Sequence, residues 1–167
     1  MNNSWYENWL VGANGVYLGG ADGTWERIGK FDFQVNAMLR TPNSIIAGVY
    51  CGVWQITVQN GTWLQLHDET FTEALALAPH TCDAGVLAAC PYGIATADRD
   101  DLGAYRWKFH SNGLRVNERF TNAVLQCGES AGTYLIGTES GVLFFDNGRW
   151  ERTNLSSGPV RALLRAH

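Results

Sequence analysis

The chain has 167 residues, 46% hydrophobic and 17% charged, with seven Trp and nineteen Gly. That length predicts one domain with a real core, and that composition excludes a disordered or collagen-like chain. The formal net charge of −4, with no Lys/Arg cluster to offset it, argues against a sequence-independent grip on phosphate backbones, so nucleic acid is not an expected partner.

The first residues, MNNSWYENWL, carry neither a basic segment nor a long apolar core, so no secretory leader is expected. No run reaches the roughly 18 apolar residues a membrane helix needs, which predicts no membrane partner and a cytoplasmic location. Cys51, Cys82, Cys90 and Cys127 are scattered without C-x-x-C spacing. We read them as reduced, buried fillers, since a free thiol packs as a small hydrophobe.

In chain order, an apolar run closed by a small residue comes first, WLVG at 9–12, followed by a turn ending in Gly15-Val16. A second turn and a Trp follow, ADGTW at 21–25, and then VNAML at 35–39. The same series returns three times. The apolar runs are IIAG (45–48), VLAA (86–89) and YLIG (134–137), and the turns after them end in Gly52-Val53, Gly93-Ile94 and Gly141-Val142. The Trp recurs as Trp63, Trp107 and Trp150, at separations of 38, 44 and 43 residues by subtraction, with QNGTW and DNGRW ahead of two of them. TEALA (72–76), TNAVL (121–125) and VRALL (160–164) repeat the remaining element, with Ala37, Ala74, Ala123 and Ala162 at one position of it. Asn147-Gly148 is a strong hairpin signal, because both central positions of a type I′ turn need positive φ.

Four short strands per repeat, at roughly 40–45 residues each, predict an all-β fold, a small four-bladed β-propeller of four-stranded antiparallel blades. The first repeat opens on what is already a second strand, and residues 158–165 supply a first strand with no followers. We therefore expect the C-terminal strand to pair with the N-terminal blade and close the ring, since an open edge invites aggregation. The expected blades are residues 9–31 with 158–167, 32–69, 70–118 and 119–157, in one domain. An eight-bladed ring of two chains that exchange this strand uses identical contacts, and two closed rings pairing face to face is a further route to a homodimer.

The blade pattern resembles the short repeats of YVTN/BNR-like propellers, and is similar to two-component-regulator propeller and photosystem II assembly-factor-like repeats, over residues 9 to 165. ADGTW, QNGTW and DNGRW resemble a degenerate Asp box, S-x-D-x-G-x-T-W. The resemblance implies a structural role for these boxes, in hairpins away from the active face. Asp-box sialidases need an Arg triad, a Tyr–Glu pair and an Asp spread over six blades, and no such set occurs here.

The third repeat departs from the others with ATADRDDLGAYRW at 95–107. Asp98, Asp100 and Asp101 there invite a Ca²⁺ reading, but the spacing lacks the Gly and distal Glu of an EF-hand loop, so we expect a solvated hairpin and no metal. His67, His80, His110 and His167 share no spacing, and G-x-S-x-G is absent, so no catalytic residue and no cofactor is expected. Glu73 and Glu139 are candidates for a facing acid pair.

The inner strand of each blade lines the axis and carries Asn36, Glu73, Asn122 and Arg161, a mixed polar ring. The alternative to a ligand-facing ring is that these four satisfy one another, with Glu73 pairing Arg161. Nearby turns offer Asn14, Tyr50, Tyr92 and Glu139. Tyrosine tips beside polar groups suit a protein, peptide or small-molecule ligand, since bulk and one hydrogen-bonding end come together. The expected function is a non-catalytic ligand- or protein-binding propeller. The alternative is a carbohydrate-binding or glycosidase-like propeller of sialidase type.

Overall fold

Turn chemistry sets the strand ends. Asn147 and Gly148 both have positive φ, 46° and 93°, as the type I′ reading requires. In ADGTW, the Asp22 carboxylate accepts hydrogen bonds from the Thr24 backbone N–H and hydroxyl, and Asn60 does the same for the Thr62 N–H. The computed structural model of the chain describes residues 9–30, 32–41, 44–80, 85–101, 103–127, 132–155 and 158–165. Trp5, Cys82 and His167 lie outside these residues.

The first sheet holds β1 (Leu10–Ala13), β2 (Gly15–Gly19) and β3 (Trp25–Arg27). The second holds β4 (Val35–Arg40), β5 (Ser44–Val49), β6 (Gly52–Thr57) and β7 (Thr62–Gln65). The third is β8 (Ala76–Pro79), β9 (Val86–Cys90), β10 (Gly93–Arg99) and β11 (Tyr105–His110). A single 3-10 turn, Val116–Glu118, leads to the fourth sheet, β12 (Thr121–Gln126), β13 (Thr133–Thr138), β14 (Gly141–Asp146) and β15 (Arg149–Arg152). Within each sheet the strands lie in chain order and pair antiparallel.

Strands buried on both faces should read as near-continuous apolar runs, and β5 and β9 do. Along β5, Ile45 and Ala47 pack with Val16 and Ile28 of the first sheet, while Ile46 turns to Val86 and Ala88 of the third. A third cluster, with Ala78, Leu87, Ile94, Tyr134, Ile136 and Phe145, joins the third sheet to the fourth. The sheets thus pack in series, β1 against β4, β4 against β8 and β8 against β12.

The structure corrects several expectations. Residues 72–75 are not yet in the third sheet. The Ala74 N–H still donates to Val49 O of the second sheet, and regular pairing starts at Ala76 opposite Ala89. The repeated Trp residues are half-buried in the later sheets, but Trp25 is exposed, because among the described residues no sheet packs before the first. Trp63 and Trp107 donate through Nε1 to the carbonyls of Ile28 and Leu66 in the preceding sheet, at 3.3 and 2.8 Å. Trp150 Nε1 is buried without a partner. The equivalent place in the third sheet is held by His110, the last residue of β11.

The expected ladder between residues 158–165 and 9–12 is absent among the described residues. β1 pairs with β2 alone, and residues 158–165 run beside the fourth sheet, with Val160 N–H donating to Thr138 O at 2.8 Å.

Asp100 is committed within its hairpin, accepting from Ala104 N–H and ion-paired to Arg106 at 2.9 Å. Among the described residues no cluster of three metal-ligating side chains occurs. Cys51, Cys90 and Cys127 are free thiols, and burial pushes Cys90 up to about 11, which leaves it an unreactive filler. No helix among the described residues is long and apolar enough to cross a membrane.

Two histidines are caught in the interface between the third and fourth sheets. The Tyr134 hydroxyl donates to Pro79 O at 2.8 Å, so its oxygen accepts from His80 Nδ1 at 3.0 Å. His110 Nε2 lies 2.8 Å from Thr96 Oγ1, with its ring edge-on to Phe145. Burial lowers both pKa values. That of His110 falls to about 4, with the Lys108 and His80 charges adding to the effect. The unfolded chain then binds more protons than the folded one between pH 6.5 and 4, so stability must fall as the pH falls through that window. The full shift sets a ceiling of roughly 3 kcal/mol, and the half-open site reduces this to about 1–2 kcal/mol. Urea midpoints should therefore drop from pH 7 to pH 4.5, and His110→Asn should flatten the slope. An unchanged slope in that variant would assign the loss elsewhere.

Candidate functional site

Antiparallel pairing fixes which residues share an end of the sheets. Val35 lies opposite Val49 and Thr121 opposite Thr138, so each inner strand begins where the hairpin after the second strand turns. Tyr50, Tyr92 and Glu139 occupy three of those turns, and Asn14 the fourth, where it bridges to Gln34. The ladder register slips between Val35 and Ala37 and again between Thr121 and Ala123. Asn36 and Asn122 sit at those slips, and a bulge re-aims the side chain it carries.

The Asn36 amide donates to Glu73 Oε1 at 3.2 Å and to Ala74 O at 3.1 Å, tying the second sheet to the approach of the third. The Asn122 amide donates to Glu139 Oε1 at 3.0 Å. Arg161 grips the same carboxylate through both terminal nitrogens, Nη1 at 2.6 Å and Nη2 at 3.3 Å. The polar ring is thus two clusters, Asn36–Glu73 and Asn122–Glu139–Arg161. The expected Glu73–Arg161 pair is replaced by Glu139–Arg161, because residues 158–165 lie along the fourth sheet. Tyr50 and Tyr92 stand exposed at their turn tips, Tyr50 edge-on to Phe33 at 5.4 Å.

A cavity of about 360 Å³ opens beside the Glu139 turn, between Thr138, Ser140, Thr153 and the 3-10 turn. On its wall, buried Glu118 accepts from Arg152 Nε and Nη2, both at 2.8 Å, and from the Arg115 N–H at 2.8 Å. Burial pushes the Glu118 carboxyl up, but the Arg152 hydrogen bonds, the Arg115 N–H and both guanidinium charges hold it below its usual range. One carboxylate between two guanidinium groups leaves a net positive wall lined by hydroxyls. Sequence reasoning missed this pair. Glu118 and Arg152 are 34 residues apart, and the 3-10 turn has no counterpart among the described residues of the other repeats. The available signal was an acid in a loop flanked by Arg115 and Arg119.

No family model matches the chain, and no curated protein matches it. Solved structures do. The chain superposes with a TM-score of 0.70 at 15% identity on the extracellular domain assigned to the one component system BT4673 from B. thetaiotaomicron, over 89% of its own length and 21% of that chain. An ancestral GH74 enzyme gives 0.65 at 18% identity, over 92% of this chain and 23% of that one. These likenesses and the four sheets packed in series decide the architecture. The fold is of propeller type. The four sheets are its blades, and the chain spans under a quarter of the length of those two neighbours. The computationally designed Ika8 protein is matched at a TM-score of 0.57 and 17% identity, over 95% of this chain and 49% of that one.

Proposed function

We propose that this propeller is a non-catalytic binding module whose turn-rich face receives a protein, peptide or small-molecule ligand. The observation that carries this reading is the state of the two candidate acids. Glu73 and Glu139 are each held by donors from inner strands, so both serve a fixed polar surface rather than a facing acid pair. Glycoside hydrolysis needs one carboxyl with a raised pKa, and buried Glu118 is shifted the opposite way. Tyr50 and Tyr92 supply exposed aromatic anchors above that surface, the residue type that dominates binding energy at such sites.

A carbohydrate-binding or glycosidase-like role is the second reading, favoured by the likeness to the GH74 enzyme and by exposed tyrosines able to stack on sugar rings. A peptide library, a glycan array and a panel of fluorogenic glycosides separate the readings. We expect binding without turnover, weakened roughly tenfold or more by Tyr92→Ala, with stability changed by no more than about 0.5 kcal/mol. Turnover of any glycoside that Glu139→Gln or Glu73→Gln abolishes would replace the binding reading by the catalytic one.

A further inference from the structure

The repeats allow each position to be compared with its own equivalents, and that comparison exposes two uncovered ends. Trp9 of the first blade is 54% exposed and Val11 39%, whereas the equivalent Ile45, Val86 and Tyr134, and Ala47, Ala88 and Ile136, are all at 0%. In the later blades these side chains are covered by the blade before them. At the other end Leu155, just past the last outer strand, is 54% exposed. Leu164 is 92% exposed, although Leu39 and Leu125 at the same place in the inner-strand motif are half-buried.

The two ends are complementary in kind. Each later blade has an inner strand paired to its second strand, as Ala123 to Gly137 and Leu125 to Leu135. The first blade has the second strand, β1, but no inner strand among the described residues. Residues 160–165 carry the inner-strand motif and already dock on the fourth blade as an inner strand docks on the blade before it. Val160 N–H bonds Thr138 O just as Ala74 N–H bonds Val49 O. Among the described residues they have no second strand beside them.

We propose that two copies of this chain join head to tail into one closed eight-bladed ring, residues 160–165 of each supplying the inner strand that the other's first blade lacks. The contact is the blade-to-blade interface already repeated three times within the chain, continued once more between chains. Each contact is head to tail, and in a ring of two copies the two contacts are related by a two-fold axis. Within one chain the first and fourth blades share no strand pairing among the described residues, and a second copy is the occupant we propose because each end carries what the other end lacks. The inference is independent of what the turn-rich face binds.

By equivalence with the fourth blade, Leu163 falls opposite Val11 and Leu164 opposite Leu10. The test is light scattering on the full chain, with one chain carrying Val11→Cys and a differently tagged chain carrying Leu163→Cys, refolded together and oxidised. We expect a mass of about twice 18.4 kDa and a disulfide joining the two tags. Leu164→Asp should shift the mass towards the single chain, and the cross-link decides the matter should that variant fail to fold. A parent mass of 18.4 kDa, or a Val11→Cys/Leu163→Cys double variant that cross-links within a monomer, overturns the proposal. So does a polymer that keeps growing with concentration.

Discussion

Replacing Tyr134 with alanine is expected to cost about 3–5 kcal/mol, among the largest losses from any single truncation here. The side chain is fully buried between the third and fourth blades, against Ala78, Leu87, Ile94, Ile136 and Phe145. Its loss opens a cavity that strand backbones on both sides cannot collapse to fill. It also strands two polar partners, since the hydroxyl serves Pro79 O and His80 Nδ1. Tyr134→Phe keeps the volume and removes only the hydroxyl, so it should cost about 1–3 kcal/mol, the penalty for buried polar groups left unpaired. Urea denaturation of both variants measures the division. A loss below about 1 kcal/mol for Tyr134→Ala would mean that the two blades do not pack through this residue.

Gly48→Val is expected to cost about 2–3 kcal/mol by the opposite mechanism, overpacking. Gly48 has ordinary backbone angles, so its requirement is space. A Cβ there would lie 2.9 Å from Ala74 Cβ and 3.1 Å from Ala74 O, closer than packed atoms approach. Gly137 faces Val160 in the same way, at 2.8 Å from Cγ1. At Gly48 and Gly137 the second strand lets the next leading segment pass at near contact, and side chains there would wedge the blades apart. Gly48→Ala should be milder, and combining it with Ala74→Gly should restore part of the loss. Strict additivity of the two in a double-mutant cycle would show that they do not meet.

What was legible in the sequence is what local chemistry determines. The Asn147-Gly148 turn, the Gly followed by Val or Ile in each repeat and the recurring Trp are set within a few residues, so they could be read without tertiary information. The small residue closing each apolar run was also visible at Gly12, Gly48, Ala89 and Gly137, but its reason, the close passage of the next blade, was not. Glu139 pairs with Arg161 instead of leaving it to Glu73, because partner choice depends on which blade residues 158–165 lie along. No local pattern specifies that. Ring closure within a chain and between chains uses the same strand pairs, so hydrogen-bonding potential alone could not separate them. The Glu118–Arg152 clamp escaped because it lies outside the repeat, where periodicity has nothing to compare.

The outer strands have a consequence for behaviour in concentrated solution. β3 presents Glu26 and Arg27, β11 presents Arg106 and Lys108, and β15 presents Arg149, Glu151 and Arg152 at the rim. A charged outer strand is a poor template for another strand, because a neighbour laid beside it would bury like charges or strip them of water. Sideways growth into cross-β fibres is therefore blocked along most of the circumference, and the protein should tolerate crowding while partly refolded. Colloidal stability here is a property of the rim, kept apart from the apolar faces through which the blades recognise one another.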